Sequence, residues 1–241
     1  MSKKTNPLFV IYQWIVAYPI LVVITLLTAV LTTLLSPISP DSKFAYFPAR
    51  IWAKIFCFLT FVRVKVSGLE KLNPQQSYVF LLNHQSMFDI FAVYGWLPVI
   101  FKWMIKAEIR KIPFIGTACE SAGHVFINRS SPIAAKQSLE RAEAQLKNGV
   151  SLVIFPEGTR TKTGEIGVFK RGAFRVATDL SLPIVPVTIR GSFERLHYDS
   201  VQIIPGTIEM IVHEPIETTT YLPDNSSELI QKTRDQIQSS L

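Results

Sequence analysis

The hydrophobic pattern divides the chain in two. From Leu8 to Pro40 there is no charged residue and no histidine, and LFVIYQWIVAYPILVVITLLTAVLTTLL fills positions 8–35. As a helix this run would be about 42 Å long, more than a bilayer core of about 30 Å. Pro19 offers a kink, so a single span and a kinked hairpin dipping into one leaflet are both compatible with it. The run is too long for the apolar part of a signal peptide, and no convincing small-residue cleavage site follows it. Residues 44–62, FAYFPARIWAKIFCFLTFV, have a different texture. Arg50 and Lys54 are four apart and share a helical face, while Trp52, Phe56 and Phe58 supply apolar bulk. That suits an amphipathic helix lying in the membrane interface, with an ordinary packing helix as the competing reading.

From about residue 62 short β-prone runs alternate with helical ones. The runs are VRVKV, SYVFLL, a helix through FDIFAVYGWL, HVFIN, a helix from Pro132 to Lys147, SLVIF, a loop, a helix GAFRVATDL, IVPVTI, TIEMIV and a last helix near 227–239. The 132–147 helix carries clear end signals: Ser131 as cap, Pro132 in first position, and Asn148-Gly149 as a stop. Such alternation predicts an α/β fold, a sheet flanked by helices. The expected organisation is a membrane anchor and interfacial helix over 1–62, followed by one α/β domain over 63–241.

Charge sharpens the membrane reading. The chain has 241 residues and a formal charge of +7, and its mean hydropathy is +0.27. Lys43, Arg50, Lys54, Arg63 and Lys65 follow the apolar run with no acid among them. A basic cluster beside an apolar anchor fits anionic lipid. It argues against nucleic acid, for which no motif is present. Lys3 and Lys4 lie on the other side, so the charge rule leaves the orientation open; we expect an inner-membrane anchor with the domain facing the cytoplasm. Cys57 and Cys119 share no metal or disulfide spacing and read as small buried hydrophobes.

Three stretches carry chemistry. NHQSMFD, 83–89, joins SYVFLL to a helix expected to start near Ser86. A serine cap and an acid in the first turn explain Ser86 and Asp89 but not His84. His84 falls at the C-terminal end of a strand, where open α/β sheets place their ligands. With His84 just outside the helix and Asp89 in its first turn, the two can meet, and Asp89 would fix the imidazole tautomer. FPEGTRTKTGEIGVFKRGA, 155–173, is rich in glycine and cation. Gly158 would turn the backbone so that amides face an anion, and Arg160, Lys170 and Arg171 would neutralise a phosphate. In GHVFINRSS, 123–131, Arg129 stands before a capped helix, a ready anion site, with a plain surface charge as the equal competing reading. His124, His197 and His213 read as structural. A nucleophile elbow, zinc spacing, a phosphate-binding lysine loop and a dinucleotide fingerprint are all missing, so no metal or cofactor is expected.

NHQSMFD resembles the N-H-x-x-x-x-D motif of the glycerolipid acyltransferases, the 1-acyl-sn-glycerol-3-phosphate acyltransferase family. FPEGTR matches that family's third motif, GHVFINR is similar to its second and IVPVTIRGS to its fourth, in order over about 75–192. The resemblance implies a glycerolipid-acyltransferase-like sheet. It also implies acyl transfer from an acyl carrier protein or coenzyme A thioester to the 2-hydroxyl of lysophosphatidic acid, within phospholipid biosynthesis. His84 would be the general base and Asp89 its orienting group. Glu157, Gly158, Thr159 and Arg160, with Arg129 and Lys106, would bind the acceptor phosphate. Other lyso-lipid acceptors, such as lyso-ornithine lipid, and a non-catalytic protein that binds anionic lipid are the rival readings.

Overall fold

The computed structural model describes residues 6–39, 42–127, 149–221 and 226–241. The 132–147 helix and Arg129 lie outside the described residues. The apolar run forms one helix, α1, over Pro7–Leu35. It contains a π-helical turn at Gln13–Ala17, and Pro19 falls at the start of the α-helical stretch that resumes at Tyr18. Proline lacks an N–H, and the first positions of a helical stretch need none, so Pro19 is accommodated and the kinked hairpin does not form. Helix α2 spans Lys43–Leu59 and packs back on α1, where the Trp52 indole N–H donates to Thr25 Oγ1 at 2.9 Å.

Among the described residues seven strands follow: β1 Val62–Ser67, β2 Val79–Leu82, β3 Phe101–Lys106, β4 Val125–Ile127, β5 Ser151–Ile154, β6 Ile184–Arg190 and β7 Gly206–Val212. Their spatial order is β1-β7-β6-β2-β5-β3-β4. All neighbours are parallel except β6 and β7. Parallel connections need crossovers, and helices α3 (Phe88–Trp96), α4 (Ile115–Ser121), α5 (Arg171–Asp179) and α6 (Ser227–Gln238) stand among them. Both faces of the sheet are covered, which is why β2 reads as VFLL, apolar throughout. Val79 and Leu81 enter a core with Phe174 and Leu229, on the side of α5 and α6. Phe80 and Leu82 enter the other, with Phe91 and Cys57, on the side of α2 and α3.

Helix α2 is amphipathic, but its division differs from the expected one. Phe44, Phe47, Ile51 and Phe58 are exposed. Phe56 instead stacks on Phe91 at 3.7 Å between ring centroids, and Trp52 meets the same ring edge-on. Edge-to-face and stacked rings bind one another beyond simple burial, so α3 draws these two aromatics inward. Strand β3 and the short helix α4 have no counterpart in the sequence reading.

Candidate active site

The parallel strands bring their C-terminal ends together, and β2 ends one residue before Asn83. The Asn83 side chain bridges to β6: its amide donates to Ile189 O at 2.8 Å and its oxygen accepts from Ile189 N at 2.7 Å. This pair fixes the point where the chain leaves the sheet. His84 comes next, and α3 starts at Phe88, two residues later than expected, with Asp89 fully buried in its first turn.

His84 Nδ1 donates to Asp89 Oδ2 at 2.8 Å. The same oxygen accepts from the backbone N–H groups of Gln85 at 2.7 Å and Ser86 at 2.8 Å. An oxygen that accepts three hydrogen bonds is fixed in position and offers the ring only an acceptor. Nδ1 therefore carries the proton, and Nε2 keeps its lone pair with no partner among the described residues. His84 is anchored from two further directions. Its ring stacks on Phe155 with centroids 3.8 Å apart and planes 8° apart, and its backbone N–H donates to Glu157 Oε1 at 2.7 Å.

His84 lines a cleft of about 640 Å³. Its lining carries the cations Lys106 and Arg160, with the exposed Thr159 and with Tyr198. The same lining includes Thr25, Ala29 and Thr32 of α1 and many apolar side chains. The guanidinium of Arg160 lies over the Tyr198 ring at 4.7 Å, and the Lys162 ammonium lies 5.2 Å from it.

Several expected site residues thus meet, and others do not. His84, Asp89, Lys106, Gly158, Thr159 and Arg160 converge on the cleft or its wall. Glu157 does not face it. Its carboxylate is buried and accepts from His84 N and from Gly167 N, each at 2.7 Å. Burial raises its pKa from the ordinary carboxylate value, offset in part by these two bonds. The Gly158 amide is not offered to an anion either: with φ at 74° the residue folds back and donates to Phe155 O at 2.9 Å. Lys170 and Arg171 are exposed at the start of α5, away from the cleft lining. His124 is structural, as expected. Its ring bonds the Tyr94 hydroxyl at 2.7 Å, accepts from Trp103 N, and is held neutral by burial, with a pKa of about 3.

Sequence reasoning missed the residues that hold the site from behind. Asn83 and Gln85 flank His84 in the quoted motif, and Gln85 donates to Gly164 O at 2.6 Å. The loop after β6 was missed as a unit. Leu196 O accepts from the Ser86 hydroxyl at 2.9 Å, and Val201 O accepts from the buried Gln13 amide of α1 at 2.8 Å. The loop therefore ties the apolar helix to the His84 turn and to Arg160. Its only sequence signal is Gln13, a lone amide in the most apolar run of the chain.

Comparison with known proteins places the chain in a family. Residues 63–190 match the Acyltransferase family profile. The chloroplast 1-acyl-sn-glycerol-3-phosphate acyltransferase of Arabidopsis thaliana is 38% identical over 176 residues, which cover 72% of this chain and 49% of that protein. The Pseudomonas aeruginosa 1-acyl-sn-glycerol-3-phosphate acyltransferase is 30% identical over 207 residues, covering 84% of this chain and 79% of that one. The crystal structure of the 1-acyl-sn-glycerophosphate acyltransferase PlsC from Thermotoga maritima superimposes with a TM-score of 0.71 at 27% identity, covering 82% of this chain and 78% of that chain. The chain spans about half the length of the two chloroplast relatives, from Arabidopsis thaliana and Brassica napus. The profile match over residues 63–190 and the 30% identity to the Pseudomonas aeruginosa protein make the chain a member of the Acyltransferase family.

Proposed function

We propose that the protein transfers a fatty acyl group from an acyl thioester to the 2-hydroxyl of lysophosphatidic acid, giving phosphatidic acid. The observation that carries this reading is the pairing of His84 Nδ1 with Asp89 Oδ2 while Nε2 is left unpaired on the cleft wall. Nε2 takes the proton of the acceptor hydroxyl, and that oxygen attacks the thioester carbonyl. The carbon–sulfur bond breaks, and the departing thiolate receives the proton from the imidazolium. Asp89 stabilises the positive ring in between. The lipid hydroxyl is the nucleophile, so no acyl-enzyme forms. A positioned base contributes about 10²–10⁴-fold.

Arg160, Lys106 and Thr159 of the cleft lining suit the acceptor phosphate; the family resemblance adds Arg129, which lies outside the described residues. Glu157 and Gly158 shape the site rather than bind at it. The apolar side chains of the lining suit an acyl chain, and the exposed apolar face of α1 suits a membrane in which both lipid acceptor and product dissolve. The inner membrane, with the cleft toward the cytoplasm, is the expected location, and coenzyme A and acyl carrier protein thioesters are the two donors to compare.

The test is transfer of labelled acyl groups by the detergent-solubilised protein to a panel of lyso-lipids. The expected result is phosphatidic acid from lysophosphatidic acid at least tenfold faster than product from lysophosphatidylcholine or lyso-ornithine lipid. Faster acylation of an acceptor lacking the terminal phosphate would overturn the phosphate assignment. Silence with every acceptor and both donors would favour a lipid-binding protein without catalysis.

A further inference from the structure

The turn between β3 and α4 presents an apolar tip that the catalytic reading does not use. Lys111, Ile112, Pro113 and Phe114 are all exposed, and Phe114 is 57% exposed although it is a large aromatic. Its backbone stands at φ 63°, a region that side-chain-bearing residues rarely occupy. The surrounding chain holds it there. Gly116 N donates to Ile112 O at 2.8 Å and Ala118 N to Phe114 O at 2.9 Å. A Cβ on Gly116 would lie 2.1 Å from Arg110 O, so only glycine closes this turn. A strained backbone that keeps a phenylalanine in the open needs a reason, because glycine would adopt this φ without the strain.

Position supplies the reason. Helix α4, which begins at Ile115, packs against α1. Ile109, Ile112 and Ile115 line the same cleft as Thr28, Ala29 and Thr32 of α1. The tip therefore adjoins the helix whose outer face exposes Leu26, Leu27, Val30, Leu31 and Leu34. Cations stand at its base. Lys111 is exposed, and Arg110 pairs with Glu120 at 3.1 Å and lies over the Phe126 ring. Apolar residues beyond a basic base are the arrangement of an interfacial contact with lipid.

We propose that the 110–116 turn is a second membrane contact, separate from the N-terminal helices. It inserts Ile112 and Phe114 into the acyl region of the leaflet beside α1, with Lys111 at the phosphate level. The bilayer then meets the cleft from two sides, and the cleft opens into lipid between them. This rests on the membrane reading above.

The experiment uses the full chain with Cys57 and Cys119 replaced by alanine. A nitroxide is attached at Phe114→Cys, at Leu27→Cys on the outer face of α1, and at the exposed Gln231→Cys of α6. Each is reconstituted in vesicles containing one-third anionic phospholipid, and collision with oxygen is compared with collision with a water-soluble nickel chelate. Residues 27 and 114 should both favour oxygen, and residue 231 the chelate. Burial of residue 27 with residue 114 in water would overturn the second contact and leave the membrane anchor standing. Both in water would overturn the two together. Phe114→Gly supplies a second check, since glycine keeps the φ of 63° without strain and removes the ring. It should lower acyl transfer to vesicle-borne acceptor about tenfold and leave transfer to a water-soluble short-chain acceptor unchanged. Wild-type rates on vesicles would contradict the proposal.

Discussion

The His84 ring lies flat against Phe155, 3.8 Å between centroids. Asp89 fixes the ring's tautomer, and Phe155 fixes its plane. A hydrogen bond to Nδ1 alone would let the imidazole swing about that bond and carry Nε2 out of line. Phe155→Leu keeps the volume roughly and removes the stacked face. Aromatic pairs contribute about 0.5–1.5 kcal/mol beyond burial, so kcat should fall by up to about tenfold. Steady-state kinetics with both substrates saturating checks this; a change confined to KM would place Phe155 in binding instead.

Glu157 is expected to behave as a brace. Glu157→Gln turns an amide N–H toward one of two backbone donors and leaves that donor unpaired. An unsatisfied buried group costs about 1–3 kcal/mol. Thermal unfolding should therefore occur several degrees lower, with the KM for acceptor and for thioester moving together. An unchanged melting temperature with a rise in acceptor KM alone would return Glu157 to the phosphate site.

Tyr198 gathers Arg160 and Lys162 around one ring. Partly exposed cation–π contacts contribute about 0.5–1 kcal/mol. Tyr198→Leu should raise the acceptor KM about threefold without altering the thioester KM, and Tyr198→Phe should restore it. Equal effects on both substrates would show that Tyr198 holds the loop rather than the cations.

His124 sets a pH dependence. Its pKa in the folded protein is about 3, against about 6.5 in the unfolded chain. The folded state thus favours the neutral ring. The stability this provides is complete above about pH 6.5 and is lost as the pH falls toward 3, at no more than about 1.4 kcal/mol per pH unit. His124→Gln should be less stable than wild type at pH 7, and the gap should narrow on acidification. Chemical denaturation at pH 7, 6 and 5 measures it; a gap independent of pH would contradict the account.

Much of this was legible in the sequence, and the exceptions have physical causes. His84 and Asp89 stood out because a titratable ring after an apolar strand needs a partner, and a first-turn carboxylate is within its reach. Strand β3 was hidden because FKWMIK holds a lysine that folding buries, with its ammonium donating to Ala122 O at 2.8 Å. Helix α4 has seven residues, too few to show a period, and its helicity depends on packing against α1. The direction of Glu157 could not be read from FPEGTR, since adjacent residues in a turn point opposite ways. The internal bond of Gly158 depends on the same turn. Asn83 and Gln85 hold parts of the chain about eighty to a hundred residues away, which no local pattern encodes.

The central claim is that His84 is the base. Its most direct test is the rate of phosphatidic acid formation from lysophosphatidic acid and an acyl thioester, wild type against His84→Ala, with folding of both verified by circular dichroism. The account predicts a folded variant slowed by at least about a hundredfold, with wild-type KM values. A folded His84→Ala protein within about tenfold of the wild-type rate would contradict it.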